Sequence, residues 1–291
     1  MIGELTALTS ALCWAVAAIL YKSVMDENEI NPFLANFIRL IPVSVVLFLL
    51  VWGTGELWKL WQVSVVHLAY LITGSMIGIG LGDTAYILAI KYAGVSRGVA
   101  ISSTYPLFTF AIDAVMKMTV DPVKLLAVAL IVAAIWILSR EDSKEGVVDI
   151  RKGVMLSMVT AVLWAVGVVM VELALRGIDF YVANMVRFPV LAVLTGALLL
   201  VTGGHRSATK MARRQVVMLT LAGLVGLAIG GLAFFASIAL IGAAEAAALA
   251  SLSPIFSAAL SVLSGKERLS LRTILGTTLA VLGVIILVIR E

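Results

Sequence analysis

The sequence predicts an all-α polytopic membrane protein: ten transmembrane helices arranged as two inverted five-helix repeats. Three observations predict it. The 291 residues are 62% hydrophobic and only 13% charged, with a mean hydropathy of +1.12. A soluble domain carries about one-quarter charged residues, so this chain cannot cover itself with a water-soluble surface. Apolar windows long enough to cross a bilayer, roughly 20 residues each, fit about ten times into the length. The second half also repeats the pattern of the first. A cytosolic enzyme, a secreted disulfide scaffold and a disordered tail are excluded by composition alone.

Gly, Pro and charge punctuate the windows, and helices are expected over residues 5–24, 32–52, 65–91, 97–117 and 122–139. A polar stretch, SREDSKEGVVDIRK, then runs from Ser139 to Lys152. It divides the chain into a first repeat (1–140), a cytoplasmic linker (141–152) and a second repeat (153–291). The second set of windows falls at 153–175, 180–202, 215–239, 244–264 and 270–289. The N-terminus carries Glu4 and no basic residue before the first window, so it lacks the basic start of a cleaved signal peptide, and the first helix is expected to stay. Cys13, the single cysteine, forms no intramolecular disulfide.

An even number of spans puts both termini on one side. Of the basic residues, only Lys59, Lys117, Lys124, Arg176 and Arg290 fall on that side; Arg39 and Arg187 lie within spans and the rest fall opposite. The positive-inside rule then places the linker in the cytoplasm and the termini outside, in the plasma membrane. The net charge of +4 is therefore read as orienting the chain in lipid, and no nucleic-acid partner is expected.

A shift of 148 residues superposes Gly78 on Gly226, Gly82 on Gly230, Ser103 on Ser251, Pro106 on Pro254 and Asn36/Arg39 on Asn184/Arg187. A shift of 150 puts Trp14 on Trp164. Five spans per copy is an odd number, so the second copy sits upside down relative to the first. Inverted repeats suit alternating access around a central site.

Charges inside spans are costly and mark a pathway or a buried pair. Arg39 lies about seven residues into its span, roughly 10 Å deep at ~1.5 Å per residue. Asp83 lies at a matching depth, so the two can pair. A substrate or proton site and a purely structural salt bridge both remain open for that pair. Arg187 ranks with Arg39. Lys22 and Glu172 are expected to snorkel to the interface, Asp113 and Lys117 to pair locally, and Arg97 and Glu245 to mark helix starts.

Gly74, Gly78 and Gly82, and again Gly226 and Gly230, recur every four residues, a spacing that lets helix backbones approach closely in lipid. Pro106 and Pro254 break spans at matched positions. Each frees a carbonyl that needs a wet cavity or a hydroxyl partner, and both outcomes stand. Trp14, Trp164, Tyr86, Tyr105 and Phe234 lie at nearby depth, where they either line a solute cavity or serve as core or lipid-facing residues. His67 and His205 are the only histidines, and no zinc-protease, nucleophile-elbow or phosphate-loop motif occurs. No metal or cofactor is expected.

Two segments, "GDTAYILAIKYAGVSRGVAISSTYPLF" and "SPIFSAALSVLSGKERLSLRTILGTTLAVLGVIIL", resemble the EamA family of the drug/metabolite transporter superfamily, as do Trp14 and Trp164 in the opening helix of each half. The resemblance covers essentially the whole chain. It implies a carrier or exporter with a cavity between the halves, lined by helices one, three, four and their counterparts. Ser251, Pro254 and Glu267 match the family's pattern, whereas Thr119 stands at the Glu267 position of the first half. Members move amino acids, other metabolites or drugs.

The expected function is thus secondary-active transport of a small organic metabolite or drug-like solute, in the exporting direction. Its substrate-binding residues would be Trp14, Arg39, Asp83, Tyr86, Tyr105, Trp164, Arg187 and Ser251, with helix breaks at Pro106 and Pro254. Protons are the candidate coupling ion through Asp83, because burial alters how readily a carboxylate ionises. No oligomeric state follows. The alternative is a membrane-embedded enzyme or a non-transporting scaffold. An enzyme would gather several catalytic polar groups at one depth, and a scaffold would not need Arg39, Asp83 and Arg187.

Overall fold

The computed structural model describes residues 1–25, 31–93, 98, 101–138, 149–204, 208, 211–263 and 271–289, and these contain helices and no strand. The first half runs α1 (Ile2–Met25), α2 (Pro32–Gly53), a 3₁₀ segment (Glu56–Gln62), α3 (Val65–Ser75), α4 (Asp83–Ala93), α5 (Tyr105–Lys117) and α6 (Pro122–Leu138). The second runs α7 (Ile150–Leu175), α8 (Phe180–Val201), α9 (Arg213–Gly223), α10 (Gly230–Ile241), α11 (Ala243–Ala250), α12 (Ser253–Leu263) and α13 (Leu271–Ile289). Polar caps set the helix starts. Asn31 Oδ1 accepts from the Phe33 and Leu34 amides, and Asp179 Oδ1 does the same for Tyr181 and Val182, satisfying donors that the first turn leaves unpaired. Asp149 accepts from the Lys152 amide, so α7 begins at Ile150, three residues inside the stretch expected to be linker.

Six helical stretches among the described residues are long and apolar enough to cross a membrane: Ile2–Leu20, Phe33–Gly53, Val65–Ala89, Ile150–Leu175, Phe180–Val201 and Arg213–Ile241. Three shorter apolar helices accompany them, Pro122–Ile137, Ala243–Ser257 and Ile274–Gly283. Two of the long stretches are not uniform. A π segment, Met76–Gly82, joins α3 to α4, and another, Leu224–Ile229, joins α9 to α10. The shift of 148 places one on the other.

Packing is reciprocal. α1 crosses α9 and α10, while α7 crosses α3 and α4; α2 pairs with α8, and α6 with α13. The first two crossings are antiparallel. Gly3 abuts Ile241 and Gly226 abuts Ala17; in the other crossing Gly177 abuts His67, Gly167 abuts Gly74 and Gly78, and Gly153 abuts Ala93. A Cβ on Gly167 would lie 2.9 Å from the Gly74 carbonyl oxygen and the Gly78 Cα, so these backbones meet directly. Lipid offers apolar side chains no penalty, and close backbone packing does the work that water exclusion does elsewhere. The interior is accordingly built of small residues such as Ala7, Ala11, Ala161, Ala247 and Ala248, while Val45, Phe48, Leu81, Val193 and Leu200 face outward.

Candidate functional site

The first π segment delivers Asp83. Its extra residue per turn directs the Asp83 amide to the Gly78 carbonyl, five residues back, and opens α4 with a carboxylate facing α2 and α7. Arg39 Nη2 donates to Asp83 Oδ2 at 2.8 Å, and Trp164 Nε1–H donates to Oδ1 at 3.1 Å. The expected Arg39–Asp83 pair therefore forms, with a third member from the other half. Asp83 keeps 22% of its side-chain surface accessible and Arg39 only 10%. Removing one partner from such a pair leaves an uncompensated charge, a loss of about 3–5 kcal/mol.

Trp164 carries the aromatic wall. Tyr86 lies against it at a centroid distance of 5.0 Å, and Tyr105 meets it edge-on at 5.7 Å. The Tyr105 hydroxyl donates to the Ala247 carbonyl at 3.0 Å, tying α5 to α11. Arg39, Asp83, Tyr86, Tyr105 and Trp164 thus come together in one cluster.

The other predicted residues sit elsewhere. Trp14 packs against Phe234 at 5.0 Å and its indole N–H donates to the Gly226 carbonyl, inside the second π segment, at 3.0 Å. Arg187 is 6% exposed, with its guanidinium carbon 3.7 Å from the Phe235 ring centroid and 4.4 Å from that of Phe188. It faces Gly231, the position that Asp83 occupies in the first half. A desolvated cation–π contact contributes about 2 kcal/mol, short of the several kcal/mol an ion loses on leaving water.

Ser251 joins neither cluster. It is buried in the turn between α11 and α12, and its hydroxyl donates to the Ala248 carbonyl at 2.7 Å. Thr104 does the same to Ile101 in the turn before α5. The breaks expected at the prolines fall just before them: Pro106 and Pro254 each stand second in a new helix, after the turns 103–104 and 251–252. Proline lacks an amide hydrogen, and the first turn of a helix is where none is needed.

An ionic cluster at the α10–α11 corner was not foreseen as a unit. Glu172 was expected to snorkel; it is only 15% exposed, and its Oε2 accepts from the Ala243 amide at 3.0 Å. Lys117 pairs with Asp113 at 2.9 Å, as expected, and also approaches Glu172 at 3.9 Å. Glu245 pairs with Lys124 rather than merely marking a helix start. Gly242, at φ +83°, makes the corner, beside a cavity of about 380 Å³ lined by Lys117, Glu172 and Arg176. The expectations for the side chain of Lys22, for Arg97, Glu267 and His205, and for most of the linker lie outside the described residues. Among those described, no group of three His, Cys, Asp or Glu side chains is placed to hold a metal.

With this geometry in view, the EamA-like transporter family matches residues 1–140 and 151–289. The chain belongs to the EamA-like transporter family. As an EamA-like protein it is a multi-pass membrane transporter, consistent with its long apolar helices. It is similar to an uncharacterized transporter of Archaeoglobus fulgidus, 23% identical over 294 residues, spanning 99% of both chains. A solved structure titled only as the crystal structure of a protein shares the fold. Its TM-score is 0.75 at 17% identity, covering 99% of this EamA-like chain and 96% of that one.

Proposed function

We propose that the protein is a secondary-active exporter of a small organic solute in the plasma membrane. In this reading ten spans form two inverted five-helix repeats, 1–140 and 153–291, that rock about a central site. The observation that carries the reading is the matched pair of helix irregularities. Each half holds a π segment and, about 20 residues on, a two-residue turn, at positions 148 residues apart. Each π segment is gripped by a tryptophan of the opposite half, Trp164 against Gly82 and Trp14 bonded to the Gly226 carbonyl and against Gly230 just beyond the segment. The antiparallel crossings of α1 with α10 and of α7 with α4 also suit an inverted relation. Interrupted helices at corresponding positions of two halves are where carriers of this architecture bind their solutes.

The solute would sit against the Trp164–Tyr86–Tyr105 wall, between Asp83 and Arg187. A proton is the proposed coupling ion: protonating Asp83 would remove the charge that holds Arg39 and weaken the acceptor that the Trp164 indole uses. Single cysteines at Tyr105 and Ser251, in a Cys13→Ala background, test the reading with impermeant thiol reagents added from either face. A carrier exposes each site to one face at a time, with the balance shifted by solute. Reaction from both faces at once would indicate a channel, and reaction from neither would end the proposal.

A further inference from the structure

The 3₁₀ segment Glu56–Gln62, between α2 and α3, has its polarity turned inside out. Residues three apart eclipse in a 3₁₀ helix, so the sequence ELWKLWQ sorts into rows: Glu56 with Lys59, Leu57 with Leu60, and Trp58 with Trp61. The charged row is tied to the protein. Lys59 Nζ donates to Glu56 Oε1 at 2.8 Å and approaches the Asp179 carboxylate, at the start of α8, at 3.6 Å. Leu57 and Val63 pack on the buried cluster that contains Val182 and Phe234. The tryptophan row is what faces away: Trp61 is 90% exposed and Trp58 55%.

A connection bathed in water does the reverse, turning its charges outward and its apolar groups inward. The flanking helices carry the same outward apolar face. Leu49 and Trp52 end α2, Val65 and Val66 open α3, and all four are exposed. Both helices belong to stretches long and apolar enough to cross a membrane, Phe33–Gly53 and Val65–Ala89. Along α3 that face continues as a cavity of about 340 Å³ lined by Val65, Val66, Ala69, Tyr70, Thr73 and Met170. Only Tyr70 and Thr73 bring hydroxyls to it, so its walls suit an acyl chain better than water. Tryptophan, with an apolar body and one N–H, settles where one end is dry and the other wet.

We infer that Glu56–Gln62 lies in the bilayer interface as a strap seated on phospholipid, with Trp58 and Trp61 among the headgroups and the upper acyl carbons. Lys59 and Leu57 hold its inner side to the protein, and the indole row holds its outer side to lipid. Short apolar-faced segments of this kind sink into the boundary between headgroups and chains. The assignment depends on residence in a membrane and not on the transport cycle.

Fluorescence of the whole chain reconstituted in phosphatidylcholine vesicles tests it, with Trp61→Phe as the reference. Trp61 is almost fully exposed, so phenylalanine there leaves the packing intact, and the difference between the two spectra is the emission of Trp61. Chains brominated near the headgroup should remove most of that difference, chains brominated near the methyl end less of it, and iodide present on both faces of the membrane least. The same subtraction with Trp58→Phe should give the same order. Quenching chiefly by iodide would place the strap in water, and stronger quenching by the methyl-end bromines would place it inside the hydrocarbon. Quenching by none of the three would place it beneath a second copy of the chain. Each of these results would overturn the assignment.

Discussion

Gly82→Ala probes the clasp between the halves. A Cβ at Gly82 would lie 2.7 Å from Trp164 Cδ1 and 3.0 Å from Nε1. The indole cannot retreat freely, because it is bonded to Asp83 and lies against Tyr86 and Tyr105. Overpacking costs about 1–3 kcal/mol, and displacing the indole N–H from a charged acceptor costs about 1.5–3 kcal/mol more. The alanine returns about 1 kcal/mol of helix propensity, leaving a net loss of about 1.5–5 kcal/mol. Gly80 is the control: nothing lies within 4 Å of its Cβ position, so Gly80→Ala is neutral or gains up to about 1 kcal/mol. Unfolding of both variants in detergent measures the difference. A cycle with Trp164→Ala isolates the contact, because the cost of Gly82→Ala should largely disappear once the indole is gone. If Gly82→Ala is as stable as Gly80→Ala, or its cost persists without Trp164, the clasp is not what holds these helices.

Asp83→Asn keeps an acceptor for Trp164 but removes the charge facing Arg39; proton-driven uptake in proteoliposomes should be lost in a protein that still folds, and unchanged coupled uptake would exclude Asp83 as the proton site. Glu172→Gln weakens the acceptor of the Ala243 amide and the field at Lys117, and should lower stability by about 1–3 kcal/mol, read from unfolding midpoints. Lys59, in the 3₁₀ segment outside the spans, has its pKa raised from 10.5, first by its hydrogen bond to Glu56 and further by Asp179, against some desolvation. Its pairing therefore supports the segment fully below pH 10.5 and is lost as pH climbs through the raised value. Hydrogen-exchange protection across Glu56–Gln62, taken relative to the intrinsic rate at each pH, should fall on that alkaline side, and Lys59→Met should remove the fall.

The sequence made some of this legible and hid the rest for identifiable reasons. Arg39 and Asp83 stand out because charge is rare in apolar runs, and equal depth made their pairing readable. Trp164 as donor to Asp83 was not readable, since it requires α7 of one half to cross α4 of the other, a relation between elements that periodicity along one helix does not carry. The fourfold glycine spacing announced close packing at Gly78 and Gly226, but not that the backbone there widens into π turns. Glu172 and the Ala243 amide are 71 residues apart, and only the corner at Gly242 brings them together. The prolines were recognised as breaks; that the chain turns just before them, and places them in a fresh first turn, depends on Thr104 and Ser251 folding their hydroxyls back onto carbonyls.

The surplus residue in each π segment behaves like a dislocation in a crystal. It needs no particular side chain to exist, so displacing it along Met76–Gly82 would require only an exchange of carbonyl partners. Each step past a residue turns that residue by about 100°. Passage of the defect beyond Asp83 would swivel the carboxylate away from Arg39 with little axial travel, coupling a bond switch inside the span to rotation of half a helix.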